Sequence, residues 1–224
     1  MLQGTWNLGC PKSTPLTLYF VLTQSRLDIV NDFSTGRKLK KNISAKVLTI
    51  CLFLTFLSLI FLGNFRFVQL QPGGTDFLYR WLPTKLALLE GNQNPYNEKA
   101  TLAVEQMHYG RPHQAGETPG IFAYPYYTLA VFAPFALVES FPLARALWMT
   151  LMEVCHITII LLTIRILKLD LKPTFFIFMI FFALFNANMA QALIDGNVAS
   201  LAALFAVLAL FCISNHKDRW GGVF

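Results

Sequence analysis

Long apolar runs alternate with shorter polar stretches along this chain. The first run, Val47 to Leu62, follows a basic cluster, and later runs cover residues 121–138, 143–167, 173–193 and 196–213. Apolar runs of about 20 residues are long enough to cross the hydrocarbon core of a bilayer as helices. The pattern predicts an all-α integral membrane protein with about four transmembrane helices, at residues 47–62, 143–167, 173–193 and 196–213.

The polar stretch after the first span contains shorter elements. From residue 76 to residue 90 the apolar side chains fall mostly on one side, and Pro83 permits only a kinked helix or two short turns. This pattern indicates an amphipathic segment that lies on the membrane surface. The composition then predicts a turn at 91–96, a second short helix at 97–109 and a flexible loop at 110–120.

The apolar run at residues 121–138 decides the topology. It is apolar enough to cross the membrane, but it contains two prolines and the next span follows it closely. Cytoplasmic loops carry an excess of Lys and Arg. If this run does not cross, all three basic clusters lie on the cytoplasmic side, at residues 37–46, 165–172 and 217–219. If it crosses, the last two clusters lie outside. We therefore expect it to lie in the interface or to dip in and return, which leaves residues 65–142 as one extracytoplasmic loop.

Composition agrees with a bilayer environment. The chain is 55% hydrophobic and only 13% charged, with 21 Phe. Its net charge of +6 sits in short clusters beside apolar runs, which is typical of cytoplasmic loops and predicts no nucleic-acid partner. We expect a poorly ordered cytoplasmic extension at 1–42, a transmembrane module at 43–213 and a cytoplasmic end at 214–224. An apolar run resumes at the end, so we expect a truncated protein. A translation start placed too far upstream would equally explain residues 1–36.

Four short motifs follow one another along the chain. They are Gly73-Gly74-Thr75-Asp76-Phe77-Leu78-Tyr79, the segment Leu89 to Tyr96, Phe122-Ala123-Tyr124-Pro125-Tyr126, and Asp195-Gly196-Asn197-Val198. In order and spacing they resemble glycosyltransferase family 87, GT-C membrane enzymes that include polyprenyl-phosphate-mannose-dependent mannosyltransferases. The resemblance covers about Gly73 to Ile213. It implies a GT-C-like bundle in which the first external loop carries the catalytic carboxylate and includes the apolar run at 121–138.

Asp76 is the catalytic residue that the resemblance implies. Transfer of a sugar to a hydroxyl needs a base aligned opposite the leaving phosphate, and a carboxylate at a membrane-surface helix end can serve. Taken from the sequence alone, Asp76 also fits a helix-terminal acid that complements the helix dipole and pairs with Arg80 at i+4. Near Tyr124 and Asp195 the chain departs from the Tyr-Pro-Pro and Gly-Gln-x-Asn motifs that the family commonly shows.

The other candidate residues would bind the donor and the acceptor. A guanidinium suits a lipid phosphate because it donates two hydrogen bonds at once, and the external cations that we predict to bind the donor phosphate are Arg80, Lys85 and Arg111. Solvated surface charge is the alternative for each of them. The tyrosines Tyr124, Tyr126 and Tyr127 could stack on a sugar, although an interfacial aromatic belt explains them equally well. We predict the substrate-binding residues to be Tyr124, Tyr126, Asp195 and Asn197.

Two further polar groups carry weaker signals. His108 and His113 could suggest a metal site with a nearby glutamate, but no third ligand lies at a diagnostic spacing, so we predict no metal and no cofactor. Glu153 and His156 lie at i, i+3 in the second span, where an unpaired acid is costly. We expect them to face each other or the interior of the bundle, and a proton pathway is the alternative.

The resemblance to glycosyltransferase family 87 implies a membrane glycosyltransferase. The donor would be a polyprenyl-phosphate sugar, a hexose such as mannose or a pentose, and the acceptor an extracytoplasmic glycan or glycolipid, with membrane lipid as a further partner. Glu153, His156 and the broken apolar run motivate the alternative of a transporter or lipid-flipping protein, although the chain lacks the internal repeat typical of transporters. An inactive membrane subunit or fragment is the third possibility.

Overall fold

A computed structural model describes residues 45–91 and 94–224. The predicted extension at 1–42 lies outside the described residues. A 3-10 turn at Tyr126–Thr128 precedes α4. The secondary structure of the described residues is helical, with α1 Ala45–Leu70, α2 Thr75–Leu89, α3 Glu98–Tyr109, α4 Leu129–Ala136, α5 Phe141–Ile166, α6 Pro173–Phe185, α7 Ala187–Asp195, α8 Ala199–Ser214 and α9 Asp218–Gly221.

The chain divides into two compact units, Met1–Phe56 and Leu57–Phe224. In the first unit the structure describes residues 45–56, a helical stretch whose large apolar side chains are exposed. The second unit contains the remaining helices and every residue of the sites described below. The packing of this second unit therefore positions the candidate site residues.

Two helices have the length and composition of membrane spans. Helices α1 and α5 each contain 26 residues, with mean hydropathy 2.4 and 1.9. At about 1.5 Å per residue each is roughly 39 Å long, which exceeds the ~30 Å hydrocarbon core of a bilayer. They coincide with the spans predicted at 47–62 and 143–167, and α1 continues to Leu70.

The last two predicted spans are more irregular. The span predicted at 173–193 is a pair of helices, α6 and α7, whose axes bend by 46° at the break between them. The break lies at Asn186, which is extended and whose side chain accepts the backbone N–H of Met189 to cap α7. Helix α8 has 16 residues, about 24 Å, and is shorter than a full span. The described residues therefore contain two helices that are long and apolar enough to cross a membrane, or three if the bent pair counts as one.

The apolar run at 121–138 contains no helix long enough to cross. Its longest helical stretch, Tyr126–Ala136, covers 11 residues or roughly 16 Å. The described structure thus agrees with the expectation that this run does not span the membrane as a single helix. Helix α4 instead packs against α2 and buries Phe132.

An aromatic cluster fixes the amino end of α2. Phe77 is fully buried, and its ring centroid lies 5.3 Å from that of Trp148 in α5. The rings of Phe132, Phe135 and Phe141 surround it at centroid distances of 6.1–6.4 Å. Each such aromatic pair contributes about 0.5–1.5 kcal/mol beyond its buried area. The cluster therefore holds the residue next to Asp76 against two other helices.

The connection after α7 packs onto the same end of α2. Gly196 ends α7 with φ +79°, in the left-handed region that glycine adopts without strain. A Cβ on this glycine would lie 2.5 Å from the Cβ of Phe77. The indole Nε1 of Trp148 donates to the carbonyl of Gly196 at 3.1 Å. Close contact between the α7–α8 connection and α2 therefore requires glycine at position 196.

Polar contacts join α1, α5 and α8. The amide of Asn64 donates to Oε2 of Glu153 at 2.6 Å and to the hydroxyl of Thr150 at 3.1 Å. His156 Nε2 lies 3.1 Å from the hydroxyl of Ser200 in α8. Glu153 and His156 thus bond two different helices, and no contact between them occurs in the described structure. They face the bundle interior as expected, but they do not pair with each other.

Candidate active site

A pocket of about 630 Å³ opens beside the amino end of α2. Residues three and four apart lie on one face of a helix, so Asp76, Tyr79 and Arg80 line the pocket together. The facing wall is the irregular segment after α3. It contributes Thr118, Pro119, Ile121, Ala123 and Tyr124. The fold thus brings two of the sequence motifs, those around Asp76 and Tyr124, to one cavity.

Arg80 is buried in the wall of this pocket, with only 6% of its surface exposed. Its Nη1 donates to the carbonyl of Asp76 and its Nη2 to the hydroxyl of Tyr124, and the guanidinium carbon lies 4.3 Å from the centroid of the Tyr124 ring. Its Nε has no hydrogen-bond partner among the described residues. The sequence pattern placed Arg80 away from the apolar side of α2, whereas the structure encloses its charge beside the pocket.

The carboxylate of Asp76 is close to Arg80 and open to the pocket. Its Oδ2 lies 3.9 Å from Nη2 of Arg80, and 42% of its side-chain surface is exposed. That separation is longer than the roughly 2.7–2.9 Å of a charge-assisted hydrogen bond, so the contact with Arg80 does not use the hydrogen-bonding capacity of the Asp76 carboxylate. Asp76 lies in the first turn of α2, where free N–H groups favour a negative charge. Asp76 would lie at i, i+4 from Arg80 both as a helix-terminal acid and as a catalytic base. The adjoining pocket favours the catalytic interpretation.

A buried glutamate holds the far wall of the pocket. Glu105, on α3, is only 1% exposed and accepts the backbone N–H groups of His113 at 3.1 Å and Gly120 at 3.2 Å. Its other close contact is Nδ1 of His113 at 2.7 Å. Burial alone would raise the pKa of Glu105, but these donors outweigh it and lower the pKa below its usual value. The ionised carboxylate therefore fixes the loop that ends beside Thr118.

A second pair closes the same loop. Both terminal nitrogens of Arg111 donate to the carboxylate of Glu117, at 2.6 and 2.8 Å, and the backbone N–H of Gln114 donates to it at 2.7 Å. The bonds from Arg111 hold the pKa of Glu117 at about 2. The sequence predicted a flexible loop at 110–120, whereas the structure shows one with several hydrogen bonds.

Two tyrosines anchor the end of the loop in the pocket wall. The hydroxyls of Tyr79 and Tyr109 both donate to the carbonyl of Thr118, at 3.4 and 3.0 Å. Burial, followed by the neighbouring Tyr109, raises the pKa of Tyr79 above its ordinary value. Its hydroxyl therefore remains a proton donor at neutral pH. These contacts set the distance between α2 and the facing wall.

Of the three cations predicted to bind the donor phosphate, Arg80 lines the pocket and the other two do not. Arg111 is engaged bidentately by Glu117, as described above. The ammonium of Lys85 donates to the carbonyl of Glu139 at 3.2 Å and lies 5.0 Å from the centroid of the Trp81 ring. Because both cations are already paired away from Asp76, the geometry gives their predicted role in phosphate binding no support.

The predicted substrate-binding residues separate in the same way. Tyr124 lines the pocket, whereas Tyr126 lies on the 3-10 turn with 57% of its surface exposed and is not among the lining residues. Asp195 accepts a bond from Gln191 at 2.8 Å, and the side chain of Asn197 accepts the N–H of Ala199 at 2.9 Å. Neither lines the pocket. Their motif supports the site through the backbone of the intervening glycine instead.

Arg145, which the sequence patterns did not single out, supports the motif that carries Asp76. Its side chain is buried in α5, and its Nη1 and Nη2 donate to the carbonyls of Gln71 and Ile194, each at 3.0 Å. A Cβ on Gly74 would lie 2.6 Å from its Nε. One guanidinium thus joins the segment before α2 to the last turn of α7. An arginine inside an otherwise apolar span was the available signal, because such a charge is costly unless it has a structural or functional partner.

Comparison with known proteins gives a family match over the carboxyl-terminal part of the chain. No curated protein and no solved structure matches the chain. A family model described as Glycosyltransferase family 87 matches residues 122–224, just under half of the chain. The match begins two residues before Tyr124, so Asp76 and Arg80 lie outside it. It confirms the resemblance seen in the sequence: over residues 122–224 the chain is similar to glycosyltransferase family 87, which supports a membrane glycosyltransferase.

Proposed function

We propose that the pocket beside α2 is the active site of a membrane glycosyltransferase that uses a polyprenyl-phosphate sugar. The acceptor is an extracytoplasmic glycan or glycolipid, and residues 65–142 face the extracytoplasmic side. The family match supports the general activity. The donor, the acceptor and the side of the membrane are inferred from the site and from the resemblance.

One observation carries the proposal. A carboxylate and a buried guanidinium, those of Asp76 and Arg80, lie 3.9 Å apart in one pocket. Sugar transfer from a phosphate needs a base for the acceptor hydroxyl and a cation for the leaving phosphate. The two groups supply both functions within reach of a single sugar.

In the proposed step one bond to the anomeric carbon replaces another. The acceptor hydroxyl oxygen forms a bond to the anomeric carbon, and the bond from that carbon to the phosphate oxygen breaks. The hydroxyl proton moves to the carboxylate of Asp76, and the bonding electron pair leaves with the lipid phosphate. Arg80 stabilises the charge that develops on this phosphate, and burial strengthens the interaction because the local dielectric constant is low.

Arg80 is suited to the phosphate because part of its donor set is unused. Nη1 and Nη2 each make one bond to the protein, and Nε makes none among the described residues. A guanidinium has five N–H donors in a fixed plane, so donors remain for an oxyanion. The stacked ring of Tyr124 limits its motion and offers an aromatic surface to the sugar.

A charge-conserving substitution tests the role of Arg80. Arg80→Lys keeps the charge but cannot reach both the Asp76 carbonyl and the Tyr124 hydroxyl while binding phosphate. Transfer from decaprenyl-phosphate mannose, measured with the full chain in proteoliposomes, should fall by at least about tenfold, which corresponds to roughly 1.4 kcal/mol of lost interaction. Arg111→Lys is the matched control, because Arg111 pairs with Glu117 outside the pocket.

Two outcomes would contradict the proposal. Equal activity of Arg80→Lys and Arg111→Lys, in proteins of equal thermal stability, would remove Arg80 from the reaction. Transfer from a nucleotide sugar but from no polyprenyl-phosphate sugar would exclude the proposed donor. The contacts of Glu153 and His156 with neighbouring helices give the transporter alternative no support, because those side chains bond within the bundle.

A further inference from the structure

A second pocket lies on the other side of α2. It has a volume of about 360 Å³, and α1, α2, α3 and the start of α5 all contribute to it. The pocket shares no lining residue with the one beside Asp76. It is lined by Val68, Pro72, Gly73, Leu78, Met107, His108, Phe141, Pro142 and Arg145.

Helix geometry explains why the two pockets are separate. Successive residues of an α-helix turn by about 100°, so Leu78 lies roughly 200° around α2 from Asp76. Arg80 lies only about 40° from Asp76 on the same scale. The body of α2 therefore stands between the cation of one pocket and the cation of the other.

Arg145 gives the second pocket a buried positive charge. The residue is 1% exposed, and its Nη1 and Nη2 donate to the neutral carbonyls of Gln71 and Ile194. Its Nε has no hydrogen-bond partner, and no carboxylate lies within ion-pair distance, in the part of the chain that the structure describes. The carboxylate of Asp195 acts on Arg145 electrostatically but forms no ion pair with it. Buried charges are normally paired, so the guanidinium favours an anion in the adjoining pocket.

The start of α5 adds to the same positive potential. Phe141 and Pro142, in its first turn, line the pocket, and the N-cap Ser140 makes no side-chain capping bond. Proline has no N–H, so of these two residues Phe141 supplies the backbone donor, and the dipole at the amino end of a long helix favours an anion. His108, from α3, adds a ring nitrogen to the opposite wall.

The remaining walls are apolar. Val68, Leu78 and Phe141 form a hydrophobic surface next to the cation, and Met107 lies at the rim with 46% of its surface exposed. A free inorganic anion would leave this surface uncovered. A phosphate that carries a hydrocarbon chain would cover it and gain hydrophobic contact.

We propose that this second pocket binds the phosphate of a lipid, distinct from the donor held beside Asp76. Arg145 and the first turn of α5 hold the phosphate, and the apolar walls hold the first carbons of the chain. Arg145 also contacts the segment before α2 through Gln71 and Gly74. An occupied pocket therefore stabilises the loop that precedes Asp76. This inference does not rest on the proposed reaction, because it concerns binding alone.

A pocket-filling substitution tests the site without altering Arg145. Met107→Trp should block the pocket from its rim, and Leu102→Trp is the matched control, since Leu102 is 42% exposed on the same helix and lines neither pocket. The full chain in non-ionic detergent is titrated with farnesyl phosphate, and the shift in melting temperature gives the affinity. Loss of the phosphate contact should weaken binding by roughly tenfold or more in Met107→Trp but not in Leu102→Trp.

The choice of probes distinguishes the sources of the phosphate. Farnesol should bind at least about tenfold more weakly than farnesyl phosphate, because it lacks the charge. Tighter binding of short-chain phosphatidic acid would identify a bilayer phospholipid as the occupant, and tighter binding of farnesyl phosphate an isoprenoid phosphate. Either result supports the site.

Three outcomes would overturn the inference. They are unchanged affinity in Met107→Trp, equal affinity for farnesol and farnesyl phosphate, and equal affinity for inorganic phosphate and farnesyl phosphate. Repeating the titration in an Arg80→Gln background separates this site from the proposed donor site. Binding that disappears in Arg80→Gln but survives in Met107→Trp would assign all lipid phosphate to the pocket beside Asp76.

Discussion

Substitution of Gly196 by alanine tests whether the α7–α8 connection positions Asp76. The glycine has φ +79°, and its added Cβ would lie 2.5 Å from the Cβ of Phe77 and 3.2 Å from the Phe77 backbone nitrogen. Neither contact is the far end of a flexible side chain. The aromatic cluster around Phe77 further limits its movement, so we expect α2 or the connection to shift.

The cost has two parts that a matched control separates. Placing alanine in the left-handed region costs about 1–2 kcal/mol. Overpacking against a rigid neighbour adds about 1–3 kcal/mol. Gly110 ends α3 at φ +71°, and a Cβ added there would meet nothing within 4 Å, so Gly110→Ala carries only the first part. The difference between the two variants therefore measures the contact with Phe77.

Thermal unfolding of the purified chain in detergent provides the assay. For a protein of this size 1 kcal/mol shifts the melting temperature by about 2–4 °C, so Gly196→Ala should melt roughly 2–12 °C below Gly110→Ala. Tryptophan fluorescence suits the measurement because Trp148 bonds to the Gly196 carbonyl. Sugar transfer should also fall in Gly196→Ala, since Asp76 is next to the displaced residue. Equal melting temperatures for the two variants would refute the packing argument.

Topology, loop stability and bundle packing each lead to a further test. In a cysteine-free background, an impermeant external reagent should label Asp195→Cys but not Lys168→Cys, and the reverse pattern would contradict the re-entrant topology. The pKa of Glu117 is lowered from 4.5 to about 2, so its contribution to loop stability is complete above pH 4.5 and is lost as the pH falls toward 2. Hydrogen exchange in residues 110–120 should accelerate over that range, and Glu117→Gln should already exchange fast at pH 7. Glu153→Leu removes one of the two acceptors of the Asn64 amide and should lower the free energy of unfolding by about 1–3 kcal/mol, seen as a lower melting temperature, whereas Glu153→Gln can keep that bond and should cost less. Transfer by folded Glu153→Gln should persist, and its abolition would instead indicate a functional role.

Periodicity and length predicted the regular elements well. The helix at 97–109 and the span at 143–167 follow from local pattern, whereas the absence of a crossing helix at 121–138 follows from the distribution of basic clusters along the chain, and the structure agrees with each. The break at Asn186 was not visible in the apolar pattern, because one asparagine that caps the next helix hardly alters mean hydropathy. Of the two arrangements that Pro83 allowed, a kinked helix or two short turns, the structure has a single helix that continues through Pro83.

The candidate site was predictable only in part, because its geometry depends on long-range contacts. Asp76 and Tyr124 meet because α3 and α4, which precede and follow the segment that carries Tyr124, both pack on α2, and the residue types alone do not reveal this packing. The sequence suggested that Arg111 could bind phosphate, but its guanidinium is paired with the carboxylate of Glu117, six residues later in the chain. Arg145 was hidden in a span, and its carbonyl partners lie 74 and 49 residues away in the chain. Such pairings cannot be read from spacing.

The identity of the proton acceptor is the central claim, and one pair of variants tests it directly. Asp76→Asn keeps the size of the side chain but removes its basicity, whereas Asp195→Asn alters a carboxylate that bonds Gln191 outside the pocket. Sugar transfer from decaprenyl-phosphate mannose is measured for both variants in proteoliposomes, together with donor binding. Loss of a general base should lower transfer by Asp76→Asn about 10²–10⁴-fold while donor binding persists, and Asp195→Asn should remain close to the unsubstituted chain. Near-normal turnover of Asp76→Asn would contradict the mechanism, and loss of transfer in Asp195→Asn alone would move the base to Asp195.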